Sequence, residues 1–120
     1  MEGRQDARAE CLLQLGAGVA RAQRCIPDVA DAFRSRILPA LHNFAPDLVI
    51  ISAGFDAHKD DPLANLRLVE ADFLWVTEEL AKVADRHCRG RIVSMLEGGY
   101  DLTALARSVA VHVKALMDVG

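Results

Sequence analysis

The stretch "VIISAGFDAHKDDP", Val49 to Pro62, joins an apolar run to an acidic loop. Together with the preceding leucine, the run is short, continuous and rich in β-branched residues, as expected of a strand that is buried on both faces of a parallel sheet. The loop carries three aspartates, a lysine and a histidine. Loops that follow strands of α/β proteins commonly hold ligands. The stretch therefore bears on both the fold and the site.

Helical patterns flank this strand on both sides. Upstream, Asp28 is a candidate cap for a helix whose apolar residues recur at intervals of three and four as far as Phe44. Pro39 is expected to kink or divide that helix, because proline removes an amide donor and clashes with the preceding turn. Downstream, the segment "EADFLWVTEELAKVADRH", residues 70 to 87, has the pattern of an amphipathic helix.

The C-terminal part repeats the alternation. Arg89 and Gly90 are suited to a left-handed cap, "RIVSML" predicts a second buried strand, and Asp101 can cap a last helix. The predicted order is helix, strand, helix, strand, helix. A strand-helix-strand unit of this length implies parallel pairing with a right-handed crossover. The loops "GFDAHKDDP" and "EGGYD" should therefore lie side by side at one edge of the sheet.

Composition limits the kind of protein. The chain has 120 residues, of which 52% are apolar and 26% charged, and it carries a net charge of −3. These values predict one globular domain at most, without a basic surface for direct nucleic-acid binding. The apolar runs are too short to span a membrane and no secretion signal is seen, which predicts a soluble, cytoplasmic protein. Residues 1–27 have partly helical spacing and are left unassigned, whereas 28–120 form the interpretable part.

The three cysteines are Cys11, Cys25 and Cys88. They show no Cys-x-x-Cys spacing, and an odd number cannot pair completely within one chain, so reduced and packed thiols are expected. His87 beside Cys88 suggests either a ligand pair or a nucleophile with its base. Neighbours on a helix point in different directions, however, and this favours a structural role for both.

The acidic loop allows two interpretations. Asp56, Asp60 and Asp61 offer oxygen donors, while His58 offers an imidazole that suits zinc or iron. Asp56 and His58 would lie on the same side of an extended loop. A catalytic zinc normally has three protein ligands, however, and the loop supplies at most a pair. Loop chemistry alone favours the alternative, a solvated loop whose aspartates cap the following turn.

The "EGGYD" loop is also open to two interpretations. Gly98 and Gly99 permit unusual backbone angles or a close approach of the backbone to a ligand. Tyr100 is the only tyrosine, and its phenol could donate a hydrogen bond to an oxyanion. A tyrosine at a turn can equally cover the edge of the core while its hydroxyl stays in water. Position alone does not decide between these roles.

Two segments carry a family resemblance. "PDLVIISAGFDAHKDDPLANLRL" and "RIVSMLEGGYDLTALARSVAVHVKAL" resemble, in order, the C-terminal part of the histone deacetylase family, especially its bacterial class II-like and acetylpolyamine amidohydrolase branch. The resemblance runs from about Val29 to the end. It implies the C-terminal part of an arginase-like α/β fold with a parallel sheet. It also implies one zinc ion and a metal-activated water that attacks the amide of an acetylated lysine or polyamine.

The resemblance assigns roles to particular residues. Asp56 matches the third zinc ligand, and Tyr100 matches the tyrosine that stabilises the tetrahedral oxyanion. His58 receives no role and is expected to be a solvated loop residue, whereas Asp61 matches a structural aspartate. The residues that match the wall of the acyl-lysine tunnel, or backbone close to it, are Pro62, Leu63, Gly98 and Gly99.

Other parts of the family's site have no counterpart in this sequence. The family's Asp-x-His zinc pair and its tandem histidine dyad lie upstream of the matched part, and no histidine precedes His42 here. Alone, the chain is therefore expected to bind zinc weakly or not at all and to be inactive. The alternative is a non-enzymatic role for a C-terminal fragment that forms a homodimer or complements an upstream segment.

Overall fold

The computed structural model describes residues 11–15 and 28–118. The strands are β1 (Cys11–Leu15), β2 (Val49–Ala53) and β3 (Ile92–Leu96). The helices are α1 (Asp28–Ala32), α2 (Leu38–Phe44), α3 (Glu70–Cys88) and α4 (Leu102–Met117), with a π-helical turn at Phe33–Ile37 and a 3₁₀ turn at Phe55–Ala57. None of the helices in these ranges is both long and apolar enough to cross a membrane.

The strands form one parallel sheet in the order β1-β2-β3. The register of β2 against β3 runs from Val49 opposite Ile92 to Ala53 opposite Leu96, which confirms the predicted parallel pairing. The sequence leaves residues 1–27 unassigned, with partly helical spacing, and at Cys11–Leu15 the chain forms the strand β1 instead of a helix. Pairing with β2 outweighs the weak local helical spacing there, and the rest of that segment lies outside the described residues.

The helix before β2 is divided, as the proline predicted. Pro39 has no N–H to donate, and the turn just before it is π-helical, with the Leu38 N–H bonded to the Phe33 carbonyl. Such a wider turn accommodates an interruption of the regular hydrogen-bond ladder. The helix ends at Phe44, and the residue that caps it, Ala45, has a φ of 52° although it is not a glycine. The left-handed conformation of Ala45 ends the helix shortly before β2 begins.

The core lies between the sheet and a layer of helices in which α3 packs against both α2 and α4. Val49, Ile51 and Ala53 of β2 are at most 1% exposed. Each large aliphatic side chain buried in this way contributes roughly 1.5–3 kcal/mol. Further buried members of this core include Phe33, Leu38, Leu41, Phe73, Val76, Leu80, Val83 and Ala84.

Among the described residues, β3 is an edge strand. The prediction that "RIVSML" forms a strand is confirmed, but its predicted burial is wrong. Ser94 contacts α4, so Val93 and Met95, which alternate with it, lie on the opposite face of the sheet. They are 47% and 51% exposed, and Leu96 is 63% exposed. An apolar sequence run can indicate a strand, but its burial depends on which elements cover each face.

A chain of polar groups ties β3 to the helix layer through His112. The Thr77 hydroxyl donates to the Phe73 carbonyl (2.6 Å) and can therefore accept from His112 Nδ1 (2.7 Å). This assignment leaves His112 Nε2 to accept from the Ser94 hydroxyl (2.8 Å). His112 is buried, and burial lowers its pKa. The network therefore uses a neutral imidazole that links α3, α4 and β3.

We expect acidification to weaken this link. The pKa of an unfolded histidine is about 6.5, and the pKa of His112 in the folded protein is lower. Between these two pKa values, the unfolded state binds more protons than the folded state. The contribution of His112 to stability is therefore lost between about pH 6.5 and its folded pKa. In urea unfolding, His112→Leu should cost about 1–3 kcal/mol at pH 7.5 and clearly less at pH 5. An equal cost at both pH values would contradict this assignment.

Candidate active site

The ends of β2 and β3 bring the two loops together. Beyond the strands, the Glu97 N–H donates to the Ala53 carbonyl (2.9 Å), and the Phe55 N–H donates to the Gly98 carbonyl (2.7 Å). These bonds continue the parallel ladder into both loops. The prediction that "GFDAHKDDP" and "EGGYD" lie side by side at one edge is confirmed.

Asp56 lies directly against Gly98. It occupies the 3₁₀ turn after β2 and is partly buried. A Cβ atom placed on Gly98 would come within 2.9 Å of the Asp56 carboxyl carbon and within 3.1 Å of both its oxygens. Real Cβ contacts are essentially never that short, so Gly98 leaves the space that this carboxylate occupies. The contact positions Asp56 against the end of β3.

Glycine is required at position 99 for a different reason, namely its backbone conformation and its closeness to α4. Its φ is 146°, in a region that side-chain-bearing residues rarely adopt, and a Cβ atom there would lie 2.6 Å from Leu105 Cδ1. The residue therefore lets the chain leave β3 and pass close to α4. Asp101 then caps α4 by accepting from the Ala104 N–H (2.8 Å), as the sequence predicted.

Asp61 joins the two loops. Its Oδ1 accepts from the Leu63 N–H (2.9 Å), while its Oδ2 accepts from the N–H groups of Tyr100 (2.7 Å) and Asp101 (3.4 Å). The residue is only 8% exposed. Its expected structural role is therefore confirmed, and it extends beyond the turn at Pro62 to the backbone of Tyr100.

The surroundings of Asp61 favour the carboxylate form. Burial by itself would raise its pKa, but the N–H groups of Leu63, Tyr100 and Asp101 outweigh burial and hold the pKa below its ordinary value. Backbone donors stabilise the charged form because a protonated carboxyl accepts hydrogen bonds less strongly. The link between the loops is thus strongest when Asp61 is ionised.

The other side chains that the resemblance singles out are open to solvent. Tyr100 is 56% exposed and Leu63 is 65% exposed, and Pro62 is also exposed. Asp61 binds the backbone N–H groups of Leu63 and Tyr100, whereas the side chains of these two residues are exposed and can contact a ligand. The expected tunnel residues therefore border the same edge of the sheet as Asp56 and Tyr100.

The expectation that His58 is solvated is wrong. The side chain is 0% exposed, its Nδ1 accepts from the Asp60 N–H (3.1 Å), and its ring stacks on Phe73 at 6.5 Å between centroids. The loop folds back here because His58 and Leu68 form a parallel bridge, in which the Lys59 N–H donates to the Leu68 carbonyl (2.9 Å) and the Leu68 N–H donates to the Ala57 carbonyl (3.0 Å). This pairing closes the loop over His58 and against α3.

A charged network holds the same loop to both helices. His58 Nε2 lies 3.3 Å from Glu70 Oε2 but at a poor angle for a hydrogen bond. Arg107 of α4 donates to Glu70 (2.6 Å) and lies 3.5 Å from Asp60 Oδ2. The backbone N–H of Glu70 lowers the carboxyl pKa most, followed by His58 and Arg107, against the opposing effect of burial. No local spacing reveals this network, because Arg107 and Glu70 are 37 residues apart.

These residues do not by themselves form a zinc site. Within residues 28–118, no group of three or more histidine, cysteine, aspartate or glutamate side chains could hold a metal ion. Asp56 offers one carboxylate, whereas a catalytic zinc normally takes three protein ligands. His58 does not add a second, since its ring is enclosed by Asp60, Glu70 and Phe73. The described residues can therefore supply at most one protein ligand of such a zinc site.

We expect Asp61→Asn to lower the free energy of unfolding by about 1–3 kcal/mol at pH 7, because an amide cannot serve all three donors as a carboxylate. The pKa of Asp61 is lower in the folded state, so its contribution is present above the unfolded value of about 3.9 and is lost as the pH falls through the folded pKa. Urea unfolding at pH 7 and pH 3 measures both effects. The exposed Asp47→Asn is the control and should change stability by under about 0.5 kcal/mol. Equal effects of the two variants at pH 7 would contradict the role of Asp61.

The family model and the similar proteins all point to one protein family. The histone deacetylase domain family matches residues 21–116, starting somewhat before Val29. Type-2 histone deacetylase 1 of Dictyostelium discoideum is 46% identical over 84 residues, which are 70% of this chain and 6% of that protein. The histone deacetylase-like amidohydrolase of Pseudomonas aeruginosa is 42% identical over 70 residues, which are 58% of this chain and 18% of that protein.

The solved structures agree with the sequence matches. The crystal structure of the HDA15 HD domain superposes with a TM-score of 0.67 and 38% identity, covering 74% of this chain and 24% of that one. The chain thus spans between 6% and 24% of the length of these three relatives. The α/β fold and the family match over most of the 120 residues lead to the same conclusion. The chain belongs to the histone deacetylase family.

Proposed function

We propose that this chain supplies one zinc ligand, Asp56, and one oxyanion donor, Tyr100, to a zinc-dependent site that hydrolyses the acetyl amide of acetyl-lysine or acetylpolyamine. The observation that carries the proposal is the shared edge of the sheet. Asp56 packs on Gly98, and the backbone of Tyr100 is bound by Asp61 from the same loop as Asp56. Membership of the histone deacetylase family supports the reaction class.

The remaining ligands and the general base come from a part of the domain other than the described residues. In the complete site, zinc would act as a Lewis acid on the carbonyl and lower the pKa of a bound water. Asp56 supplies a carboxylate toward that ion but no complete site. Without the other ligands and a positioned base, hydrolysis by this chain alone is expected to be negligible.

In this proposal, Tyr100 acts on the substrate. When the amide carbonyl is attacked, negative charge develops on its oxygen, and the phenol O–H donates a hydrogen bond to that oxygen. The phenol keeps its proton in this role. Asp61 holds the backbone N–H of Tyr100 at 2.7 Å, which limits the positions that the ring can take. Removing one such donor from an oxyanion site typically lowers kcat by about 10²–10³.

The exposed loop offers an apolar wall for the substrate. Leu63 is 65% exposed, although Asp61 holds its backbone in place. An acetylated lysine or polyamine presents a methylene chain that such a side chain can cover. We assign Pro62 and Leu63 to one wall of the acyl tunnel, with the backbone of Gly98 and Gly99 close to it.

A second candidate function is non-catalytic, and the exposed face of the sheet favours it. Val93 and Met95 are about half exposed on the face opposite the helices, and β3 is at the edge of the sheet. Exposed apolar faces and strand edges commonly mark association surfaces. In this case the chain would form a homodimer, or complement an upstream deacetylase segment, without activity of its own.

Location and other partners rest on the amino-acid sequence alone. The cytoplasmic location stays a prediction, as does the lack of direct contacts with nucleic acid or membranes. The net charge of −3 supports the exclusion of nucleic acid.

The enzymatic role predicts activity when the N-terminal part of a histone deacetylase domain is added as a second polypeptide. Hydrolysis of an acetyl-lysine peptide and of acetylspermidine would be followed by release of acetate. Tyr100→Phe should lower kcat about 100-fold or more, and Asp56→Asn should also weaken zinc binding. Leu102→Ala, at another exposed residue nearby, should retain activity. Activity unchanged in both site variants would refute the proposed roles.

The non-catalytic role predicts a dimer. Sedimentation of the chain alone at tens of micromolar should show twice the monomer mass, because pairing buries Val93 and Met95. Met95→Lys should shift the equilibrium toward monomer, whereas Val113→Lys, at a residue of α4 with similar exposure, should not. A monomeric preparation that is active with zinc alone would exclude this role.

A further inference from the structure

Two histidines meet where α2 packs against α3. His42 is in the last turn of α2 and His87 is in the last turn of α3. Their facing nitrogens, His42 Nδ1 and His87 Nε2, are 2.8 Å apart, and the ring centroids are 5.1 Å apart with an angle of 53° between the planes. Both side chains are only partly buried, so solvent and small ions can reach them. The proposed deacylase site does not use this pair.

The distance between the two nitrogens is informative. Two imidazole ligands in cis positions, each bonded to a metal at about 2.0 Å and at right angles, have nitrogens about 2.8 Å apart. Two ligands in a tetrahedral arrangement have nitrogens about 3.3 Å apart. The observed 2.8 Å, which is also the length of an ordinary N–H···N hydrogen bond, is close to the cis spacing of tetragonal or octahedral geometry, which suits Cu²⁺ and Ni²⁺.

The surroundings favour neutral imidazole at His42. Burial lowers the pKa of His42 most, followed by the electrostatic effects of the neighbouring His87 and Arg86 side chains, while Glu79 opposes them. Lys82 pairs with Glu79 at 2.6 Å and offsets part of that negative charge. A neutral ring keeps the lone pair that a metal ion requires.

We propose that His42 and His87 form a binding site for a divalent late first-row transition-metal ion that clamps α2 to α3. The two facing nitrogens bind the ion in cis positions. The proton between the rings is displaced to the far nitrogen of its own ring, so both histidines stay neutral and no net proton is released. The described residues supply no third side-chain ligand, and water completes the coordination shell. The site is independent of Asp56.

The test uses the untagged chain and Ni²⁺, which does not oxidise cysteine as Cu²⁺ can. Thermal unfolding followed by circular dichroism at pH 7.5 should show a midpoint raised by about 5 °C when free Ni²⁺ exceeds its dissociation constant about tenfold. His42→Gln and His87→Gln should each abolish the shift. Asp56→Asn should retain it, which separates this site from the proposed zinc ligand. Mg²⁺, a cation that prefers oxygen ligands, should have no effect.

A second measurement does not depend on the folding of any variant. In the unmodified chain, Ni²⁺ should protect His42 and His87 from diethylpyrocarbonate, with the modified residues mapped by peptide mass spectrometry. Equal modification with and without Ni²⁺ would show that the pair is a hydrogen bond only and overturn the proposal. A Ni²⁺ shift that persists in both glutamine variants, or that disappears in Asp56→Asn, would also overturn it.

Discussion

The parallel pairing of β2 with β3 is the constraint on which the rest of the structure depends. It places the carboxyl ends of both strands at one edge, and the hydrogen bond from Phe55 to Gly98 continues the ladder past the strands. The loops after them therefore meet even though their residues are far apart in sequence. Asp56 can pack on Gly98 only because of this register, and a slip of one residue would turn its carboxylate away from that glycine.

Buried polar groups hold the pairing in place at several points. Asp61 joins the backbones of both loops at the carboxyl edge, and His112 joins β3 to α3 and α4 through hydroxyl partners. Arg107 adds a more exposed link from α4 to Glu70. Each link joins elements that are distant in sequence. The candidate site is therefore supported by a framework of directional bonds as well as by the apolar core.

Much of the fold and part of the site could be predicted from residue patterns. Spacing of apolar residues indicated α3, the β-branched run indicated β2, and the crossover rule brought the loops of Asp56 and Tyr100 together. The prediction failed for His58, which was expected to be solvated because it lies in a polar loop. Its burial arises from the parallel bridge between His58 and Leu68 and from stacking on Phe73, contacts that no local period encodes.

The sequence by itself determined the order of helices and strands from residue 28 onward, the parallel pairing, and the family resemblance through its two motifs. Local periodicity and turn chemistry act over a few residues and can be read from the chain. The tertiary structure alone decided that β1 extends the sheet, that β3 is exposed at its edge, and that His42 meets His87. These features depend on which faces pack together, because burial and long-range contact are properties of the folded arrangement and not of any one segment.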